Sequence, residues 1–258
     1  MDIKIHKINL TWSGRLLTPT NALLLLPDKP SKTLALLCHG YTSSKFSILS
    51  WASRLAEEKV PTLIFDIPGH YLGNFSEVES FDEFKTSAHE LFSEAFEAAS
   101  SHLASPASRL IIGGHSLGGL LALKAMDEAI FSSIDKIALG VGLGLAPKDV
   151  VHIFDTPFYK STLKLREQLV SKELKPDNVF PWIKDEKESL TLTRQRIHLI
   201  TGEDDVVVGE DGMERFATYL ESLGNIVSME KPKKLAHHVP ENAAPHIKKF
   251  FKDEGWLE

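Results

Sequence analysis

The sequence holds one cysteine, Cys38, among its 258 residues. A single thiol excludes an internal disulfide framework and any cysteine-based metal site. Its place in the apolar run 33–38 marks it as a buried, inert side chain. Long apolar stretches are missing too: the run 22–26 is far too short to span a bilayer. The opening residues, Met-Asp-Ile-Lys-Ile-His-Lys, lack the apolar core of a signal peptide, so a cytoplasmic protein with no membrane span is expected. There is no extended basic block. Net charge is −6, and the densest cationic cluster, Lys231-Pro232-Lys233-Lys234, reads as a solvated strand end. Nucleic acid is therefore not expected as a partner. None of the 11 histidines forms a His-Glu-x-x-His pattern, so neither a metal nor another cofactor is expected.

What is present suits an ordinary globular chain, 43% hydrophobic and 25% charged, long enough to bury a core without disulfide or metal staples. Near the N-terminus Lys4, His6 and Asn9 interleave with Ile5, Ile8 and Leu10, and a second run at 21–27 follows a Thr-Pro-Thr turn signal, both predicting strands of an antiparallel lead-in. Short continuous apolar runs follow at 33–38, 62–65, 110–113, 137–141 and 197–200, the pattern of strands covered on both faces. Helical spacing appears at 48–58, 81–102, 117–130, 212–223 and 244–251. Strand alternating with helix predicts a mostly parallel, doubly wound sheet in one domain spanning 1–258. The stretch 148–196, punctuated by Pro157, Pro176 and Pro181, is too long for a simple crossover and is expected to form a small cap of short helices.

The most informative segment is Ile111-Ile112-Gly113-Gly114-His115-Ser116-Leu117-Gly118-Gly119. It leaves an apolar strand and enters a good helix former, Leu120 to Met126. A serine there sits on a sharp turn that projects its Oγ above the sheet, with no room for side chains at 114 and 118. A glycine-rich phosphate cradle is the other reading of such a turn, but the Lys and Ser/Thr of a Walker-type loop are missing.

Gly-His-Ser-Leu-Gly-Gly after an apolar strand resembles the nucleophile elbow of α/β-hydrolases, particularly serine esterases and lipases. The resemblance implies an α/β-hydrolase fold and extends over nearly the whole chain. It identifies His39-Gly40-Tyr41 with the family's oxyanion loop, so that the backbone N–H groups of Tyr41 and Leu117 form the oxyanion hole. His39 is expected to brace that loop, and Asp66-Ile67-Pro68-Gly69-His70 to serve a structural role. In the family the acid lies three residues after a glycine that closes a later strand. That offset from Gly202 selects Asp205, with Asp204 and Asp149 as alternatives. The base comes last in Leu235-Ala236-His237-His238-Val239-Pro240, where two histidines compete. Prolines two and seven residues on, Pro240 and Pro245, favour His238 over His237.

The expected catalytic set is thus Ser116 as nucleophile, His238 as general base and Asp205 as its orienting acid. The expected reaction is hydrolysis of small to medium carboxylic esters through an acyl-enzyme. Phe154, Phe158 and Trp182, together with Phe180, are expected to line the pocket for this small-molecule substrate, although packing of the cap onto the core accounts for them equally well. Thioester or small-amide hydrolysis stays open, as does a non-catalytic binding role on the same scaffold.

Overall fold

The computed structural model describes residues 2–12, 20–145 and 157–257. Eight strands form one sheet: β1 (Ile3–Leu10), β2 (Thr20–Pro27), β3 (Thr33–Cys38), β4 (Thr62–Phe65), β5 (Arg109–His115), β6 (Asp135–Val141), β7 (Arg196–Ile200) and β8 (Ile226–Glu230). Their order across the sheet is β1-β2-β4-β3-β5-β6-β7-β8. Only β2 runs against the others: it pairs antiparallel with β1 and β4, while every remaining pairing is parallel. This is the mostly parallel sheet that the strand pattern predicts, antiparallel lead-in included.

The continuous apolar runs exist because both faces of the central strands are covered. Along β3, Leu34, Leu36 and Cys38 enter one core cluster while Ala35 and Leu37 enter the other. The same alternation follows from the two-residue period of β4 and β5, where Leu63 and Phe65 oppose Ile64, and Leu110 and Ile112 oppose Ile111. Helices α1 (Leu49–Glu57) and α8 (Ala244–Asp253) cover one face. The other carries α2 (Phe81–Ser87), α3 (Leu91–Ser100), α4 (Leu117–Ala125) and α7 (Gly212–Ser222). Between β6 and β7 lie α5 (Pro157–Arg166) and α6 (Pro176–Glu188), which adds buried Val179 and Trp182 to that same face.

Two departures from the sequence expectation have local causes. The stretch 81–102 is not one helix but two, joined by a 3-10 turn at Ala88–Glu90. At the break the Ser87 carbonyl accepts the indole N–H of Trp12 at 3.0 Å, and the Ser87 hydroxyl bonds back to the Glu83 carbonyl at 2.8 Å. Such side-chain bonds compete with the helical ladder. The edge strand β8 has no counterpart among the expected apolar runs, because it is only partly buried and carries no continuous apolar stretch.

Candidate active site

The loops leaving β3, β5, β6, β7 and β8 converge at the carboxyl edge of the sheet, where open α/β folds present their crevice. Ser116 occupies the turn between β5 and α4 with φ 49° and ψ −113°, a left-handed conformation that a non-glycine residue adopts only under constraint. The constraint is visible: its N–H donates to the Val141 carbonyl at 2.8 Å, and its carbonyl starts the helix by accepting Leu120 N–H at 3.0 Å. The flanking glycines are sterically required. A Cβ at 114 would lie 2.5 Å from the Gly118 carbonyl carbon, and one at 118 would lie 2.4 Å from the His39 oxygen. Leu117 opens α4, so its N–H belongs to the first turn and has no intrahelical acceptor.

The loop after β3 is braced from below. The backbone N–H of Ile67 donates to His39 Nε2 at 2.9 Å, which leaves Nδ1 to donate to the Gly40 carbonyl at 2.7 Å. Burial pushes the ring's pKa down to about 4, so His39 is neutral and already engaged at both nitrogens. Asp66, fully buried, accepts the Lys45 backbone N–H at 2.8 Å and also pairs with the Lys45 ammonium. The Tyr41 hydroxyl donates to the Leu174 carbonyl at 2.7 Å, tying this loop to the chain just before α6.

In the loop after β7 the geometry singles out Asp205. Its buried carboxylate accepts the N–H groups of Val207 and Val208, both at 3.0 Å, through Oδ1. Oδ2 meets a histidine, and that histidine is His237, whose Nδ1 lies 2.8 Å away. The expected partner, His238, is exposed and takes a place only in the wall of the smaller cavity. The structure thus brings His237, and not the expected His238, to Asp205. Asp204 is already engaged, accepting Leu235 N–H at 2.9 Å; with Glu203 N–H on the Pro232 carbonyl at 2.9 Å, it stitches the loop after β7 to the loop after β8. This stitching fixes which of the two adjacent histidines faces Asp205. Asp149 lies outside the described residues.

Two cavities meet at Ser116 and His237. The larger, of about 540 Å³, runs beneath α6 between Leu143, Leu163, Phe180, Ile183, Val207 and Val208. Lys187 also lines it, donating to the Gly144 carbonyl, and burial pulls its pKa down to about 8. Sequence reasoning missed this lysine because a Lys on a helix ordinarily reads as solvated. The smaller cavity, of about 250 Å³, is more polar and includes Thr42, Ser43, His115 and Arg166. Of the expected pocket aromatics, Phe180 borders both cavities, its ring meeting that of Tyr41 at a centroid distance of 5.2 Å. Trp182 does not contribute. It packs edge-on against Phe81 and Phe84 and donates its indole N–H to Glu186 at 2.8 Å, so its apolar area is spent joining α6 to α2. Phe154 and the side chain of Phe158 lie outside the described residues.

A serine on a strained strand-to-helix turn, beside a histidine held at Nδ1 by a buried carboxylate, is an arrangement able to carry out nucleophilic chemistry. A model of the alpha/beta hydrolase family matches residues 35–237. The chain belongs to that family. Solved structures agree at the level of fold. A membrane phospholipase A described as a bacterial virulence factor superposes with a TM-score of 0.67 at 17% identity, over 97% of this chain and 86% of that one. The esterase Pf2001 of Pyrococcus furiosus gives 0.66 at 16% identity, covering 99% and 92%. TT1662 of Thermus thermophilus gives 0.59 at 20%, covering 100% and 99%. No curated protein sequence matches the chain. In this α/β-hydrolase no helix among the described residues is long and apolar enough to cross a membrane.

Proposed function

We propose that this α/β-hydrolase cleaves carboxylic esters of small to medium acyl groups through an acyl-enzyme on Ser116. The observation that carries the reading is the 2.8 Å bond from His237 Nδ1 to buried Asp205, formed where Ser116 and His237 open on the same cavity. Asp205 holds the tautomer that leaves Nε2 of His237 free to take the Ser116 proton, and it stabilises the imidazolium that results. The oxyanion that develops is received by the N–H groups of Leu117 and Tyr41, each such donor contributing about 3 kcal/mol in comparable sites. His237 then returns the proton to the leaving alcohol and activates the water that releases the acid. Helices α5 and α6 act as a small cap, and the apolar cavity beneath α6 takes the acyl chain.

Turnover of p-nitrophenyl acetate, butyrate and octanoate tests this reading. Ser116→Ala and His237→Ala each lower kcat by about 10^4-fold or more, whereas His238→Ala stays near wild type. A fluorophosphonate probe labels Ser116 in the wild-type protein. An equal loss in His237→Ala and His238→Ala contradicts the assignment of the base. No labelling and no turnover favours a binding protein on the same scaffold, and faster turnover of thioesters or amides moves the substrate class.

A further inference from the structure

The large cavity beneath α6 is apolar over most of its wall, yet three charged side chains of that helix line it: Asp177, Lys184 and Lys187. The first two are readily explained. Asp177 is exposed in the first turn of the helix, where the amide dipoles favour a carboxylate. Lys184 is exposed and pairs with Glu188 at 3.0 Å. Lys187 is partly buried, and among the described residues its ammonium has one partner, the carbonyl of Gly144, which is itself part of the cavity wall. An ammonium carries three N–H donors, so most of that capacity is unused. Asp177 stands ten residues before it on the same helix, about 15 Å away and too far to neutralise it.

The nearby charges are engaged with other groups. Burial lowers the pKa of Lys187 to about 8; Glu188 and Asp205 oppose that shift, while Lys184 and Arg215 add to it. Glu188 is the partner of Lys184, and Asp205 divides its oxygens between His237 and two backbone N–H groups. Arg215 on α7 pairs with Asp211 at 3.1 Å. Below about pH 8 the cavity that opens on Ser116 therefore holds a cation with no counter-ion of its own among the described residues. A cation set among side chains such as Leu143, Leu163 and Ile183 is costly unless an anion completes it.

We propose that Lys187 sets specificity for acyl groups that end in a carboxylate, so that the preferred substrates are half-esters of short dicarboxylic acids. The inference rests on the reading of Ser116 as an esterase nucleophile and of this cavity as its acyl pocket. A single ammonium matches the single charge of a carboxylate, which accepts its unused N–H donors in charge-assisted bonds. The methylenes between that carboxylate and the ester lie along the apolar wall. The covalent steps are those of a neutral ester: Ser116 Oγ bonds to the acyl carbon, the alcohol leaves with the proton from His237, and water releases the dicarboxylate.

The test sets the monoethyl esters of succinate, glutarate and adipate against ethyl butyrate, valerate and hexanoate, each pair equal in acyl length, with acid release followed in a pH-stat. At about pH 7 at least one half-ester exceeds its neutral counterpart in kcat/KM by about tenfold or more. Lys187→Met abolishes the advantage by slowing the half-ester while the neutral ester stays at or above its wild-type rate. In the wild type the ratio of the two kcat/KM values falls as pH rises through about 8, where the lysine loses its charge and effects on the common chemistry cancel. A wild type that hydrolyses the neutral esters at least as well as every half-ester overturns the proposal, and so does a preference unmoved by pH. A folded Lys187→Met that slows both kinds of ester equally also overturns it, leaving the lysine as a tie between α6 and Gly144. If that variant does not fold, the wild-type ratio and its pH dependence decide alone. Failure of the underlying esterase reading looks different: no ester of either kind is turned over, and Ser116 takes no fluorophosphonate.

Discussion

At the scale of single residues, the site depends on which atoms are already committed. Asp205 spends one oxygen on two backbone N–H groups and keeps the other for His237. Asp205→Asn preserves the shape but offers an amide where a carboxylate stood, which selects the wrong histidine tautomer. On the proposed mechanism kcat falls by about 10^4-fold with KM nearly unchanged, as steady-state kinetics on p-nitrophenyl butyrate will show. The strained turn at Ser116 and the placing of Asp205 beside a histidine were legible through the family resemblance, which ties each to a glycine at a fixed offset. Which histidine meets Asp205 was not. Adjacent residues in an irregular loop point in different directions, and the proline spacing that favoured His238 carries no information about the bonds from Leu235 N–H to Asp204 and from Glu203 N–H to Pro232 that set the loop's rotation. Trp182 misled for a related reason, since an aromatic on a covering helix packs as readily onto the core as onto a cavity.

At the scale of elements, the reading of the sequence worked best where burial is two-sided. β3 and β4 appear with the bounds that their apolar runs predict, because a strand covered on both faces has no polar positions to blur it. β8, at the edge of the sheet, had no such signal. The loops that join these strands are held by polar contacts that hydrophobic pattern does not reveal. The ion pair of Lys45 and Asp66 is the clearest, since both side chains are almost wholly buried and the pair binds the turn before α1 to the chain leaving β4. Lys45→Met leaves the Asp66 charge buried and uncompensated, a loss of about 3–5 kcal/mol. Urea unfolding will register it as a lower midpoint with an unchanged slope.

At the scale of the whole molecule, several imidazoles are carried neutral inside the fold. Burial lowers the pKa of His39 to about 4, of His70 to about 3 and of His198 to about 4, from an ordinary value of 6.5. Between those values and 6.5 the unfolded chain binds protons that the folded chain refuses, so stability rises with pH across that window and falls on acidification. The melting temperature is expected to hold above about pH 7 and to drop steadily from about pH 6 toward 4. A flat profile over that range would mean that these rings accept protons in place. The spacing of the site along the chain has a consequence in time. Ser116 follows β5, Asp205 follows β7 and His237 follows β8, so the base loop can dock only after the last strand has been made. A ribosome adding about 5–20 residues per second completes the serine turn several seconds before it delivers His237. Through that interval the nascent chain carries the proposed nucleophile without the proposed base, and on the proposed mechanism the capacity to attack an ester arrives in one step, with the docking of a single loop.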